Sequence, residues 1–104
     1  MIIHQRNSEK EIIDVLNNYQ KSKPLKVIFH CFTGSAKLRS FCLDNEFYIS
    51  ISGTITFKNA NDLREVICDF PLQRMLIETD SPFLAPEPFR GKMNEPSYVK
   101  YISE

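Results

Sequence analysis

Four short apolar runs, each followed by a stretch with helical periodicity, constrain this chain more than any other feature. The runs are Met1 to Ile3, Val27 to Phe29, Phe47 to Ile51 and Met75 to Thr79. They are close to continuously apolar instead of alternating. Strands of that kind are buried on both faces and belong to parallel sheets, in which each strand returns to the next through a crossover helix. The expected fold class is therefore α/β, with about four parallel strand-helix units in a single domain spanning residues 1–104.

The intervening segments carry the helices. Ser8 and Glu11 have capping-box spacing, and Ile12, Ile13, Leu16 and Tyr19 follow on one helical face with Val15 alongside. Pro24 closes that unit. After Gly34, Ser35 can cap a second helix that presents Leu38, Phe41 and Cys42. A third helix is predicted to begin between Asn59 and Asn61, to present Leu63, Val66 and Ile67, and to stop before Pro71. Residues 81–96 hold four of the six prolines and read as a long functional loop. Ser97 to Glu104 begins a further helix.

Three of the four runs end in a side chain that can bind a metal: His4, His30 and Asp80. In a parallel sheet these ends share one edge of the sheet, where open α/β sheets and α/β barrels place their sites. The chain has only two histidines, and both occupy such ends. A His/His/Asp set suits zinc, manganese or iron. Asp-Ser-Pro is also ordinary turn chemistry. Alternation along a strand puts Glu78 on the same face as Asp80. Glu78 then supports the ligands from behind or pairs with a lysine or arginine. The third run ends differently, in Ser52 and Gly53, whose small size leaves room for a substrate.

Two segments suit phosphate. Phe89 to Pro96 ("FRGKMNEP") offers Arg90 and Lys92 as donors, with Gly91 permitting close backbone approach. His30 to Ser35 ("HCFTGS") leads into a helix N-terminus, a second place for an anion. Cys31 beside His30 is not expected to act as a Cys-His pair, because adjacent strand residues face opposite ways.

Composition narrows the setting. Formal net charge is zero, so no overall basic excess signals nucleic acid. No run approaches the ~20 apolar residues of a membrane helix, and no signal-peptide pattern opens the chain. Cys31, Cys42 and Cys68 are odd in number and widely spaced, which favours free thiols in a reducing compartment, the cytoplasm.

Four segments, "VIFHCFTGS", "FYISISGTITFKNANDLREV", "RMLIETDSPFLAP" and "FRGKMNEPSYV", occur in the order and spacing of one family. With the opening "MIIHQR", essentially the whole chain resembles the C-terminal part of a TatD-type metal-dependent deoxyribonuclease. That family lies within the amidohydrolase-like TIM-barrel hydrolases. The resemblance implies a partial (β/α)8 TIM barrel and hydrolysis of phosphodiester bonds in a DNA substrate. It implies divalent metal cations (Mg, Mn or Zn) held by His4, His30 and Asp80. Asp80 is further expected to accept a proton from the attacking water. The "RG..NEP" segment brings Arg90, Asn94 and Glu95 near the site. Asn94 joins Arg90 and Lys92 on the phosphate, and Glu95 joins Glu78 as a supporting carboxylate.

Phe89 and Met93 depart from the family, which often has histidine and a basic residue at these places. The family's His-x-His strand and a bridging glutamate have no counterpart in the chain. Three side chains do not furnish two ions, each of which needs several ligands. The resemblance therefore implies a truncated barrel holding at most one ion. Two readings stay open: a truncated hydrolase whose activity alone is an open question, or a non-catalytic remnant or half-subunit that pairs with a separate N-terminal half or with itself. A third is a phosphate- or nucleic-acid-binding module built on Pro82 to Pro96.

Overall fold

The computed structural model describes all 104 residues. Four strands, β1 (Ile2–His4), β2 (Ile28–His30), β3 (Tyr48–Ile51) and β4 (Met75–Ile77), form one sheet in the order β1-β2-β3-β4. Every neighbouring pair is parallel, and His4 lies directly opposite His30. The helices are α1 (Glu9–Gln20), α2 (Ala36–Asp44), α3 (Asn61–Ile67) and α4 (Val99–Ser103), with short 3-10 turns at Gly53–Thr56, Leu72–Arg74 and Pro96–Tyr98.

Strand order follows chain order, so each crossover advances the sheet by one place in the same direction. Right-handed crossovers then set all the helices on one face. That face is the core. Phe29, Phe47, Ile49 and Ile51 point into it and meet Ile13 and Leu16 of α1, Leu38 and Cys42 of α2, Ile67 of α3 and Ile102 of α4. Phe47 anchors the cluster, edge-on to Phe41 at 5.7 Å and tilted against Phe29 at 6.4 Å. Each such fully buried side chain contributes about 1.5–3 kcal/mol.

The opposite face corrects the expectation of burial on both sides. Ile2 is 73% exposed, Leu76 42% and Tyr48 40%. No second helical layer covers them, and the outer edges of β1 and β4 have no neighbour. On α1, Ile13 and Leu16 are buried, but Val15 and Tyr19 of the expected apolar face are exposed.

Three local expectations also change. Ser8 precedes α1 but its side chain caps nothing. The carboxylate of the next residue, Glu9, accepts instead from the backbone N–H and hydroxyl of Ser35, at 2.7 and 2.6 Å. Ser35 in turn caps α2 by accepting from the Leu38 N–H. The fourth strand ends at Ile77, so Glu78 and Asp80 lie just beyond it. Finally, the space above Gly53 is filled by the chain itself. A Cβ on Gly53 would sit 2.1 Å from the Leu84 carbonyl oxygen. Glycine is there because the loop after β4 crosses it closely, not to admit a substrate.

Candidate metal centre

The site is assembled from the ends of β2 and β4. Immediately after His30, Cys31 takes a left-handed backbone conformation (φ 48°), and Phe32 N–H returns to the Ser50 carbonyl at 2.8 Å. This turns the Cys31 N–H toward β4, where it donates to Glu78 Oε2 at 3.1 Å. Asp80 is left-handed too (φ 58°), a conformation that aspartate tolerates better than most residues.

His30 lies between two carboxylates. Its Nδ1 is 2.7 Å from Glu78 Oε1, and its Nε2 is 3.4 Å from Asp80 Oδ1. The short approach falls outside hydrogen-bond alignment, so Glu78 Oε1 is buried without a donor. One donor atom from each of His30, Glu78 and Asp80 lies within 4.8 Å of the others. His4 stands beside this group, its ring centre 5.6 Å from that of His30. It shares a cleft of about 450 Å³ with Asp80, Arg6, Thr54 and Phe83.

These residues fit a divalent cation on three counts. Imidazole and carboxylate are the donors such ions take. Two donors each about 2.1 Å from a tetrahedral ion lie about 3.4 Å apart, which is the His30–Asp80 separation. A carboxylate beside the far ring nitrogen is the usual neighbour of a metal-bound histidine, and Glu78 stands there at 2.7 Å, though out of hydrogen-bond alignment. The orphaned Oε1 marks a site with negative charge in excess of its donors.

Cys31 contributes through its backbone, which the sequence did not suggest. Burial is the largest influence on its thiol and pushes the pKa up. The Ser52 hydroxyl, 3.2 Å from Sγ, pulls it down, and the charges of Asp80 and Glu78 push it up again. Burial thus favours the neutral form of the thiol.

The loop residues divide. Arg90 lies over the Phe57 ring at 3.6 Å, Lys92 is 5.9 Å from the Phe89 ring, and neither forms an ion pair. Asn94 corrects the expectation of a phosphate contact. It is buried, and its amide nitrogen donates to the carbonyls of Thr79 at 2.7 Å and Phe83 at 2.6 Å. Its oxygen accepts from the Glu95 N–H at 2.9 Å. With both donors committed, Asn94 fastens the segment that carries Asp80. Glu95 is exposed and accepts from the Ser97 hydroxyl, so it supports its own turn and not the His30 group.

A parallel sheet with a His/Glu/Asp group at its strand ends that could hold a metal ion defines part of an α/β barrel. The chain belongs to the family described as TatD related DNase, whose model matches residues 1–104. It is 48% identical over 104 residues to the uncharacterized metal-dependent hydrolase YabD of Bacillus subtilis, covering 100% of this chain and 40% of that protein. Against the uncharacterized metal-dependent hydrolase YcfH of Escherichia coli K12 the identity is 41%, with 100% and 39% covered. Among solved structures, the TatD homologue YJJV of E. coli K12 superposes with a TM-score of 0.83 at 28% identity, over 97% of this chain and 38% of that one. The chain thus spans about two-fifths of the length of these relatives, and its four strand-helix units are part of a TIM-type barrel. No helix is long and apolar enough to cross a membrane.

Proposed function

We propose that the chain carries one metal-holding portion of a hydrolase site that acts on phosphodiester bonds in DNA. The observation that supports this reading best is His30 held between Glu78 and Asp80. In this reading His4, His30 and Asp80 bind the cation, and Glu78 holds the imidazole so that Nε2 faces outward. A bound divalent ion supplies Lewis-acid polarisation of a phosphoryl oxygen. Asp80 accepts a proton from the attacking water, since its carboxylate opens onto the cleft. Arg90 and Lys92 lie along the adjoining surface and neutralise phosphate charge. The three free thiols suit a reducing compartment, the cytoplasm.

The test is calorimetric titration with Mn²⁺, Mg²⁺ and Zn²⁺, paired with cleavage of a DNA oligonucleotide, for wild type and Asp80→Asn. One cation per chain, lost in the variant, is the expected result. Binding undiminished in Asp80→Asn overturns the assignment.

A second reading is favoured by the bare sheet face: a half-subunit active only when another strand-helix set covers it. Its occupant is an N-terminal half or a second copy. Adding the portion of YabD that this chain does not match should then yield a one-to-one complex that cleaves DNA. Its failure to associate removes that partner.

A further inference from the structure

We infer that Phe83 is the positioning residue for the substrate, a platform on which the base next to the scissile phosphate stacks. The inference rests on the nucleic-acid reading above and adds to it the feature that distinguishes a nucleic acid from any other phosphodiester.

Phe83 is 69% exposed, although only two residues separate it from Asp80. An exposed phenyl ring gives up burial worth about 1.5–3 kcal/mol, so its position calls for an explanation. A mobile tip would supply one, but the backbone of Phe83 is fixed at both ends. Its N–H donates to the Asp80 carbonyl at 2.9 Å, and its carbonyl accepts from buried Asn94 at 2.6 Å. Leu84, the next residue, is left-handed (φ 56°) and close-packed over Gly53. The ring is therefore projected from a rigid support, which lowers the ordering cost when something binds to it.

Its surroundings specify what that is. Phe83 lines the cleft that holds His4 and Asp80, and also a neighbouring depression lined by Phe57, Arg90 and Lys92. It is the ridge between a site suited to a reacting phosphate and one suited to the next phosphate. Arg90 stacks on Phe57 and has no acidic partner, so its charge is available. Aromatic faces alternating with cationic side chains along a groove fit a nucleic acid strand with an unpaired base, and stacking is indifferent to which base it is.

The test is fluorescence anisotropy with a labelled 12-nucleotide oligothymidylate in EDTA, so that no cleavage occurs and no metal is required. An oligomer of the same length with abasic sugars throughout is the control for phosphate contacts. Stacking of one base is worth about 1–3 kcal/mol, which corresponds to roughly 5- to 150-fold in affinity. Wild type should bind the base-bearing oligomer tighter than the abasic one by a factor in that range. Phe83→Ala and Phe83→Leu should abolish the preference while leaving the abasic affinity unchanged, and Phe83→Tyr should keep it. A preference that survives in Phe83→Ala overturns the platform and leaves the nucleic-acid reading standing. Absence of binding to either oligomer overturns both.

Discussion

Asn94→Ala tests whether one buried amide holds the Asp80 segment in place. The side chain makes three hydrogen bonds, to the Thr79 and Phe83 carbonyls and from the Glu95 N–H. A net contribution of about 1 kcal/mol each gives roughly 3 kcal/mol, and carbonyls left buried without donors add to the loss. Total stability of a domain is about 5–15 kcal/mol, so this is a large fraction. For a domain of this size 1 kcal/mol moves the Tm by about 4–8 °C, so the melt should fall by at least about 12 °C. Asn94→Asp is the informative companion. It keeps an acceptor for the Glu95 N–H but sets a carboxylate against two carbonyl oxygens, so it should be no better than alanine. The assay is thermal unfolding followed by circular dichroism, with hydrogen exchange at the Phe83 amide as the local readout. A Tm within about 2 °C of wild type in Asn94→Ala, with Phe83 exchange unchanged, would show that the loop is held by something else.

Glu78→Gln should lower Mn²⁺ affinity by about 10- to 100-fold in calorimetry, the usual effect of removing a carboxylate behind a metal-bound histidine; unchanged affinity would leave Glu78 with a packing role alone. Burial pushes the Cys42 thiol from 9.0 up to about 12, so the folded chain favours the neutral form. Stability is then undiminished below pH 9.0 and falls as pH rises toward 12, by up to about 4 kcal/mol, and Cys42→Ala should flatten that part of a pH series of melts. The bare sheet face and two open edges predict self-association, so light scattering at micromolar concentration should report species larger than 12.1 kDa; a monodisperse monomer with a cooperative melt would refute this.

Most of the fold was legible because it depends on periodicity. Ile13 and Leu16, or Phe29 and Ile49, are core for reasons visible in their spacing alone. The cap of α1 was not legible, because Ser8 and Glu9 are equally plausible as polar residues near a helix start. Only the approach of α2 shows that Glu9 is used between helices. His30, Glu78 and Asp80 could be placed on one edge from strand alternation, but which nitrogen of His30 meets which carboxylate depends on the left-handed turns at Cys31 and Asp80. The role of Asn94 is hidden for a related reason. A polar residue in a loop with Arg90 and Lys92 suggests a ligand, and nothing local reveals that two carbonyls of a distant segment close over it.

The identity between strand order and chain order has a kinetic consequence. No strand must be inserted between two that are already paired, so the sheet can grow by adding units at one edge as the chain emerges from the ribosome, N-terminal part first. β1 and β2 can pair before β4 exists. Asp80, however, belongs to the last unit and is fastened by Asn94, later still in the sequence. The proposed cation site therefore closes only after β4 and the segment carrying Asn94 have joined the sheet. The rate at which a refolding chain gains metal affinity would then time the joining of β4, and a pause after β3 would leave His4 and His30 ordered without the carboxylate of Asp80.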